Sequence, residues 1–290
     1  MFKNILIPID TSNNSWAGIT KALEFCDASG TTLHLVKVIR RNAFFGYLLN
    51  LFRGRTVPRE EANTEELEKI RQKLLDWQVP RHLSAKVEIK TGDSAGWKKF
   101  LAARNIDLII LPPNNISQAL TPGRDVYQHL FQQSGVLVLT LLQQETDATI
   151  RSVLVPVPGF FPEEKVHTAL EIAKKFHAQL HIVTILDDTK ADVKQRIDAF
   201  YLSFKLFSAY GYSPQYKILM GKHRQASLSR YANQIKADMI LMHAKEKTGL
   251  LTACRQKISD WLHPLTGVQV LTMQPEFSTQ VWEAGAVAYK

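Results

Sequence analysis

Basic side chains follow two predicted strands in the second half of the chain. Lys222, His223 and Arg224 come after one apolar run, and His243 and Lys245 come after the next. The carboxyl ends of parallel strands open onto one edge of a sheet, where such folds bind their ligands. We therefore predict a basic edge with a candidate anion-binding site made of side chains. The favoured interpretation of this edge is a solvated basic rim without a ligand, with side-chain anion binding as the alternative.

The common catalytic motifs are missing from this sequence. It has no G-x-S-x-G nucleophile turn, no intact phosphate-binding P-loop and no paired carboxylates beside a base. His223 and His243 could approach each other across the strand ends, but no third ligand has the spacing that a metal site needs. We therefore predict neither an enzyme nor a metal site, although weak ATP hydrolysis stays open.

Two similar segments would position the candidate residues. Residues 106–111 and 237–242 each place an Asp before four apolar residues, and a polar loop follows both. A short apolar run bounded by turn signals is typical of a strand that is buried on both faces. The residues after each strand, including Pro112 and His243, are therefore expected at the edge that binds ligands.

The order of motifs repeats along the chain, which indicates a duplication. Residues 22–24 and 169–171 both read Ala-Leu-Glu, and residues 135–140 resemble residues 267–272. Strands alternate with helices, and Ser15 is predicted to cap the first helix. This pattern predicts an α/β fold with two tandem doubly wound, Rossmann-like domains. The predicted units are 1–142 with an insertion at about 40–62, 150–274, and a C-terminal tail at 275–290.

Composition sets further bounds on the protein. Its 290 residues carry a net charge of +9 and include two cysteines, one in each half. Such cysteine usage supports no disulfide framework and favours a reducing, cytoplasmic location. The charge permits anionic partners, but the basic residues are dispersed and lack interleaved aromatic residues, so nucleic acid is not expected. No apolar run reaches the roughly 20 residues of a membrane-spanning helix.

Three segments of the first half occur in a characteristic order. They are Ile5-Leu-Ile-Pro-Ile-Asp10, then Gly92-Asp-Ser94 with a helix and Asp107-Leu-Ile-Ile-Leu111, and finally Gly135-Val-Leu-Val-Leu139. With their counterparts in the second half, they resemble the universal stress protein family in its tandem form. The resemblance implies five parallel strands per domain in the order 3-2-1-4-5. It also implies that the two domains pair through their last strands, as single-domain relatives do in a dimer.

The resemblance also implies where a nucleotide would bind. Nucleotide-binding members of the family carry an Asp at the end of the first strand and the pattern G-x-x-G-x9-G-[S/T] after the fourth strand. Asp10 matches the acidic residue. The candidate cofactor-binding residues of the first domain are therefore Asp10, Gly92, Asn114, Asn115 and Gly123.

The glycines that would cradle the phosphates are not retained. Pro112 and Asn115 stand where the family pattern has its first two glycines, and proline supplies no N–H group. In the second half, Pro158 replaces the acidic residue, while His243 and Glu246 replace the glycines. We therefore predict no cofactor, with ATP in the first domain as the alternative.

The insertion in the first half has an apolar pattern of its own. Residues 40–55, if helical, would form an apolar face between flanking arginines. The residues of this face are Phe44, Tyr47, Leu48, Leu51 and Phe52. The favoured interpretation is a lid on its own domain or a contact with a second copy, because exposed apolar patches of this size are uncommon. An acidic partner's groove and a membrane surface are the alternatives.

The function predicted from the sequence is that of a non-enzymatic stress-response or regulatory binding protein with degenerate nucleotide sites. One alternative is an ATP-binding switch that uses Asp10. Another is a peripheral membrane or transporter-associated regulator that uses residues 40–55. The expected partners are another protein or a second copy of the chain, with a small anionic ligand or a membrane surface as further options.

Overall fold

The computed structural model describes most of the chain outside its longer connections. The described residues are 1–9, 13–27, 30–39, 68, 72, 84–91, 94–112, 135–141, 149–186, 190–221, 224–243 and 268–273.

In both halves a helix connects successive strands wherever the structure describes the connection, as the sequence predicts. The first half contains β1 (Asn4–Ile9), α1 (Asn13–Phe25), β2 (Thr32–Ile39), β3 (Ser84–Thr91), α2 (Ser94–Ala103), β4 (Leu108–Leu111) and β5 (Leu137–Thr140). The second half contains β6 (Ser152–Pro156), α3 (Glu163–Phe176), β7 (Gln179–Leu186), α4 (Lys190–Ala209), β8 (Gln215–Met220), α5 (Arg224–Gln234), β9 (Met239–His243) and β10 (Gln269–Met273). Within these ranges, no helix is both long and apolar enough to cross a membrane.

All ten strands form one continuous sheet in the order β3-β2-β1-β4-β5-β10-β9-β6-β7-β8. Neighbouring strands run parallel within each half, so each half has the order 3-2-1-4-5 that the resemblance implies. Apolar runs fill the central strands, and β1 and β4 are almost entirely buried, as expected for a parallel sheet covered on both faces. The predicted fold class is confirmed.

The last strands of the two halves join in the middle of the sheet. β5 and β10 pair antiparallel, with Leu139 opposite Leu271. On one face of the sheet, the ring of Phe25 at the end of α1 meets the ring of Phe176 at the end of α3, with the centroids 5.0 Å apart. One cluster of buried side chains contains residues of both halves, so the halves share a core.

The first helix begins earlier than the sequence analysis predicts. α1 starts at Asn13, and Ser15 is buried inside its first turn, so the prediction that Ser15 caps this helix is wrong. The physical reason is helical phase, because Ser15, Ile19 and Ala22 share the side of the helix that faces the sheet. Helix ends are also the least certain part of a sequence-based assignment.

The Asp of each repeated segment has a structural role. One carboxylate oxygen of Asp107 accepts hydrogen bonds from the backbone N–H groups of Lys3 and Asn4, at 2.8 and 2.9 Å. Asp238 accepts the equivalent pair of bonds from Arg151 and Ser152, also at 2.8 and 2.9 Å. Each Asp therefore ties the amino end of its fourth strand to the amino end of its first strand, at the edge opposite the expected ligand site.

Candidate functional site

In each half, the switch in strand order lies between the first and fourth strands. Ligands of open parallel sheets bind beyond the carboxyl ends of the strands at such a point. β1 pairs with β4 through Ile5 and Leu108, and β6 pairs with β9 through Val153 and Met239. Four residues beyond this pair stand Pro112, directly after β4, and His243, the last residue of β9. These two residues therefore occupy equivalent positions.

An apolar contact occupies this position in the first half. Pro112 is buried, and its ring lies against Gly18 of α1. A Cβ atom added to Gly18 would lie 3.0 Å from Cγ of Pro112 and 3.1 Å from Cγ2 of Ile7. Glycine permits this close approach because it has no side chain. The helix, the first strand and the residue after the fourth strand are thus in direct contact.

Lys165 takes the place of Gly18 in the second half. Both residues stand four positions before the alanine of the repeated Ala-Leu-Glu motif, so they are equivalent in α1 and α3. The side chain of Lys165 is only 2% exposed. Its Nζ donates a hydrogen bond of 2.9 Å to the backbone carbonyl oxygen of Pro156, the last residue of β6. An amine therefore lies at the carboxyl end of the central strand of this half.

Burial changes the protonation of both polar side chains at this position. It lowers the pKa of Lys165 to about 7, because the charged ammonium loses its hydration. Burial also lowers the pKa of His243 to about 3, and the positive charge of Lys165 contributes to the same shift. At neutral pH the imidazole is therefore uncharged, while the ammonium and the neutral amine of Lys165 are both populated.

An aromatic side chain borders the pair. The ring of Phe160, in the connection between β6 and α3, lies 5.5 Å from the ring of His243 with an interplanar angle of 40°. Phe160 is 37% exposed, whereas Lys165 is buried, so the ring pair lies nearer to solvent than the amine. The hydroxyl of Thr184 donates a 3.2 Å bond to the carbonyl oxygen of Val157, which fastens the connection after β6 to β7. We refer to Lys165, His243 and Phe160 as the second-half crevice.

The structure describes only part of the predicted anion-binding set. His243 is the last residue of β9 and belongs to the second-half crevice. Arg224 is the first residue of α5, and the structure describes its backbone only. The other members, Lys222, His223 and Lys245, lie outside the described residues. No group of three potential metal ligands occurs among the described side chains. The anion-binding set therefore stays a prediction, with His243 as its placed member.

The remaining predicted site residues also lie outside the described part of the chain. This applies to the candidate cofactor-binding residues Asp10, Gly92, Asn114, Asn115 and Gly123. It applies equally to the predicted apolar face of Phe44, Tyr47, Leu48, Leu51 and Phe52. Both sets stay predictions.

Lys165 is the functional candidate that the sequence analysis missed. Lysine is among the residue types least often fully buried, so a lysine in a helix is ordinarily assigned to its solvated face. The available signal was its spacing, because Lys165 precedes the buried Ala169 by four residues and the buried Ile172 by seven. Aligning the two halves would also have placed a lysine opposite Gly18.

Two histidines at matching strand positions lie away from the crevice. His34 and His181 are the third residues of β2 and β7, toward the amino ends of those strands. His34 Nε2 lies 3.3 Å from Oδ1 of Asn4, and the ring of His181 meets that of Tyr231 at 6.5 Å. Burial lowers the pKa of His181. These contacts indicate that both histidines contribute to packing and not to the strand switch.

Comparison with known proteins agrees with the observed fold. Residues 1–115 match the model of the universal stress protein family. No curated protein sequence matches this chain significantly.

Three solved structures resemble nearly the whole chain. A universal stress protein from Archaeoglobus fulgidus DSM 4304 has a TM-score of 0.65 and 17% identity, over 93% of this chain and 98% of that one. A functionally unknown protein from Pseudomonas aeruginosa PAO1 has a TM-score of 0.58 and 19% identity, over 94% and 93%. The cytoplasmic domain of a prokaryotic cation chloride cotransporter has a TM-score of 0.50 and 10% identity, over 94% and 96%. At these identities the similarities establish the fold.

Proposed function

Since residues 1–115 form a universal stress protein domain and the second half repeats its fold, we propose that the chain is a non-enzymatic stress-response or regulatory binding protein of the cytoplasm. Its conventional nucleotide sites are degenerate in both halves. Its action depends on binding a protein partner, a second copy of the chain or a small ligand, and not on turnover of a substrate.

The contact between Gly18 and Pro112 carries this proposal. A triphosphate needs backbone N–H donors, which a glycine loop and the N-terminus of the following helix supply. In the first half, a proline ring without an N–H group packs against α1. This arrangement supports the loss of a conventional phosphate site, even though Asp10 matches the acidic residue of nucleotide-binding relatives.

The second half supports the same conclusion with different residues. His243, with a half-buried side chain, stands at the position where a glycine would allow close approach of a phosphate. Lys165 occupies the adjacent helix position, and Pro158 stands where the acidic residue would be. A nucleotide site of the glycine-loop type is therefore not expected there either.

Isothermal titration calorimetry with ATP and magnesium tests the proposal. We expect no micromolar binding to the purified full-length protein. The Asp10→Ala variant is the matched comparison, because Asp10 is the residue that the ATP-binding alternative requires. Micromolar ATP binding that disappears in Asp10→Ala would contradict the proposal and establish the switch.

A further inference from the structure

One hydrogen bond of the Lys165 amine lies within the part of the chain that the structure describes. A charged lysine has three N–H donors. One of them donates to the carbonyl oxygen of Pro156. Within the described ranges, no acidic side chain and no second acceptor reaches the amine. Buried charges are normally paired with an opposite charge, whereas the acceptor described for this ammonium is a neutral carbonyl oxygen.

The fold itself does not require a lysine at this position. The equivalent place in the first half is taken by Gly18, and the same strands and helix form around it. Lys165 also stands on the buried side of α3, among Val166, Ala169 and Ile172, where an apolar residue would pack without loss of hydration. Its presence at the strand switch is therefore better explained by a ligand than by packing.

We propose that the second-half crevice binds a small oxyanion, a phosphate or carboxylate group, between the Lys165 ammonium and the His243 imidazole. Lys165 supplies the charge and two N–H donors, and the neutral imidazole supplies a further donor. Phe160 covers an apolar group attached to the anion. This inference deepens the proposed function, because it names the ligand class for the second half.

The charges around the crevice are compatible with an anion. On α3 itself, Glu163 and Glu164 are exposed in the first turn, and Glu163 lies 3.8 Å from His167 along the solvent side. The neighbouring strands contribute uncharged groups to this region. These are Pro156 at the end of β6, the buried Thr184 of β7 and His243 at the end of β9. None of these described groups places a negative charge beside the amine, and a bound anion would supply a counter-charge.

Binding and protonation must be coupled if the anion needs the charged amine. The pKa of Lys165 is lowered to about 7 by burial, so the free protein loses the ammonium as the pH rises above 7. A bound anion favours the charged form. Affinity is therefore expected to fall as the pH rises from 7 to 9, with a proton taken up on binding. Sulfate is a suitable probe, because its charge is constant over this range.

The test is calorimetric titration of the full-length protein with sulfate, inorganic phosphate and benzoate. Sulfate and phosphate report on a phosphate-type ligand, and benzoate reports on a carboxylate attached to an aromatic group. Lys165→Met should weaken binding roughly 10- to 100-fold, the expected effect of losing a charge-assisted hydrogen bond. Lys174→Met is the matched control, since Lys174 is exposed on the same helix, and it should bind like the wild type.

Equal affinity in Lys165→Met and the wild type, or no binding of any of the three anions by the wild type, would overturn the inference. A second measurement avoids reliance on the variant. In crystals of the wild-type protein soaked with selenate, the anomalous selenium signal should lie beside Lys165 Nζ, and selenate found only elsewhere would refute the site.

The two proposals fail in different experiments. ATP binding that requires Asp10 contradicts the degenerate first-half site and says nothing against Lys165. ATP binding that survives Asp10→Ala but is lost in Lys165→Met supports the oxyanion site, with the ATP phosphates as its ligand.

Discussion

At the scale of single residues, one pair of positions distinguishes the two halves. Gly18 and Pro112 make a tight apolar contact, whereas Lys165 and His243 bring two nitrogen-containing side chains to the same place. The strands and the helix around both pairs are alike. A difference of two side chains therefore changes the chemistry of the strand switch without changing the fold.

Replacing Lys165 by methionine should stabilise the protein at neutral and acidic pH. Removing a buried charge of this kind typically stabilises by about 1–4 kcal/mol, and the lost bond to Pro156 offsets about 1 kcal/mol of this. The folded-state pKa is about 7, below the ordinary value of 10.5, so the unfolded chain binds more protons between these values. Wild-type stability should therefore rise from pH 7 to 10.5, and the advantage of the variant should shrink over that interval.

Urea denaturation of both proteins at several pH values from 6 to 10 measures this effect. The Lys174→Met variant controls for the loss of a surface lysine and should follow the wild type. A Lys165→Met protein that is less stable than the wild type at pH 6 would show that the lysine is structurally required.

Mutations at Gly18 and Pro112 should have non-additive effects on the free energy of unfolding, because the two residues are in contact. Gly18→Ala alone is expected to destabilise by about 1–2 kcal/mol, because the methyl group would press on a proline ring and a strand residue. In a Pro112→Ala background the same change should cost less or even stabilise, since alanine is the better helix former by about 1 kcal/mol. A double-mutant cycle of thermal unfolding measures the coupling, and additive effects would mean that the two residues do not clash.

At the scale of elements, the first and fourth strands of each half are tied together at their amino ends. Asp107 and Asp238 each accept two backbone hydrogen bonds from the neighbouring first strand. The carboxyl ends of these strands lie at the opposite edge of the sheet, which in the second half is the edge of the crevice residues. The repeated Asp therefore belongs to the framework of the sheet, and the two halves differ at the opposite edge, where one has Pro112 and the other has His243.

Loss of either Asp should destabilise its own half. Asp107→Ala and Asp238→Ala are each expected to cost about 1.5–3 kcal/mol, because two N–H donors lose a charged acceptor. Asp198→Ala is a suitable control, since Asp198 is exposed on α4 and should tolerate the change. Hydrogen exchange should show the loss of protection at Lys3 and Asn4 in the first variant and at Arg151 and Ser152 in the second. Unchanged exchange there would contradict the structural role.

At the scale of the whole molecule, the two halves are held together by strand pairing within the sheet and by side-chain contacts at the ends of helices that pack on it. The antiparallel β5–β10 pair makes the sheet continuous. Beside it, Nζ of Lys175 donates to Oδ1 of Asp27 and to the carbonyl oxygen of Cys26 across the junction. The Phe25–Phe176 ring contact lies in the same region. Burial raises the pKa of the Cys26 thiol to about 11, so this junction keeps the thiol protonated at neutral pH.

The ion pair at the junction should make stability depend on pH in the acidic range. The hydrogen bond from Lys175 is the main cause that lowers the pKa of Asp27, and the bond from the amino group of Met1 adds to it. A lowered carboxyl pKa stabilises the folded state above the ordinary value of 3.8, and this contribution disappears as the pH falls through the lowered value. Asp27→Asn should therefore cost about 1 kcal/mol at pH 7, and this cost should shrink as the pH falls below 3.8.

Chemical denaturation of the wild type and Asp27→Asn from pH 7 to pH 2 tests this expectation. Lys175→Met should show the same loss at pH 7, and the double variant should be no worse than either single one. A difference between wild type and Asp27→Asn that persists at pH 2 would have to come from packing and not from the charge.

The sequence by itself determined the alternation of strands and helices and the duplication, because apolar periodicity and internal repeats are local properties of a chain. The strand order 3-2-1-4-5 followed from the family resemblance. Only the tertiary structure decided what lies at each strand switch. The residues that meet there are far apart in sequence. Gly18 contacts Pro112, and the positive charge of Lys165 contributes to the lowered pKa of His243. The burial that shifts the pKa of Lys165 exists only after α3 packs on the sheet. The burial of Lys165 could not be predicted from its residue type, because lysines usually face solvent and burial depends on which faces the fold brings together.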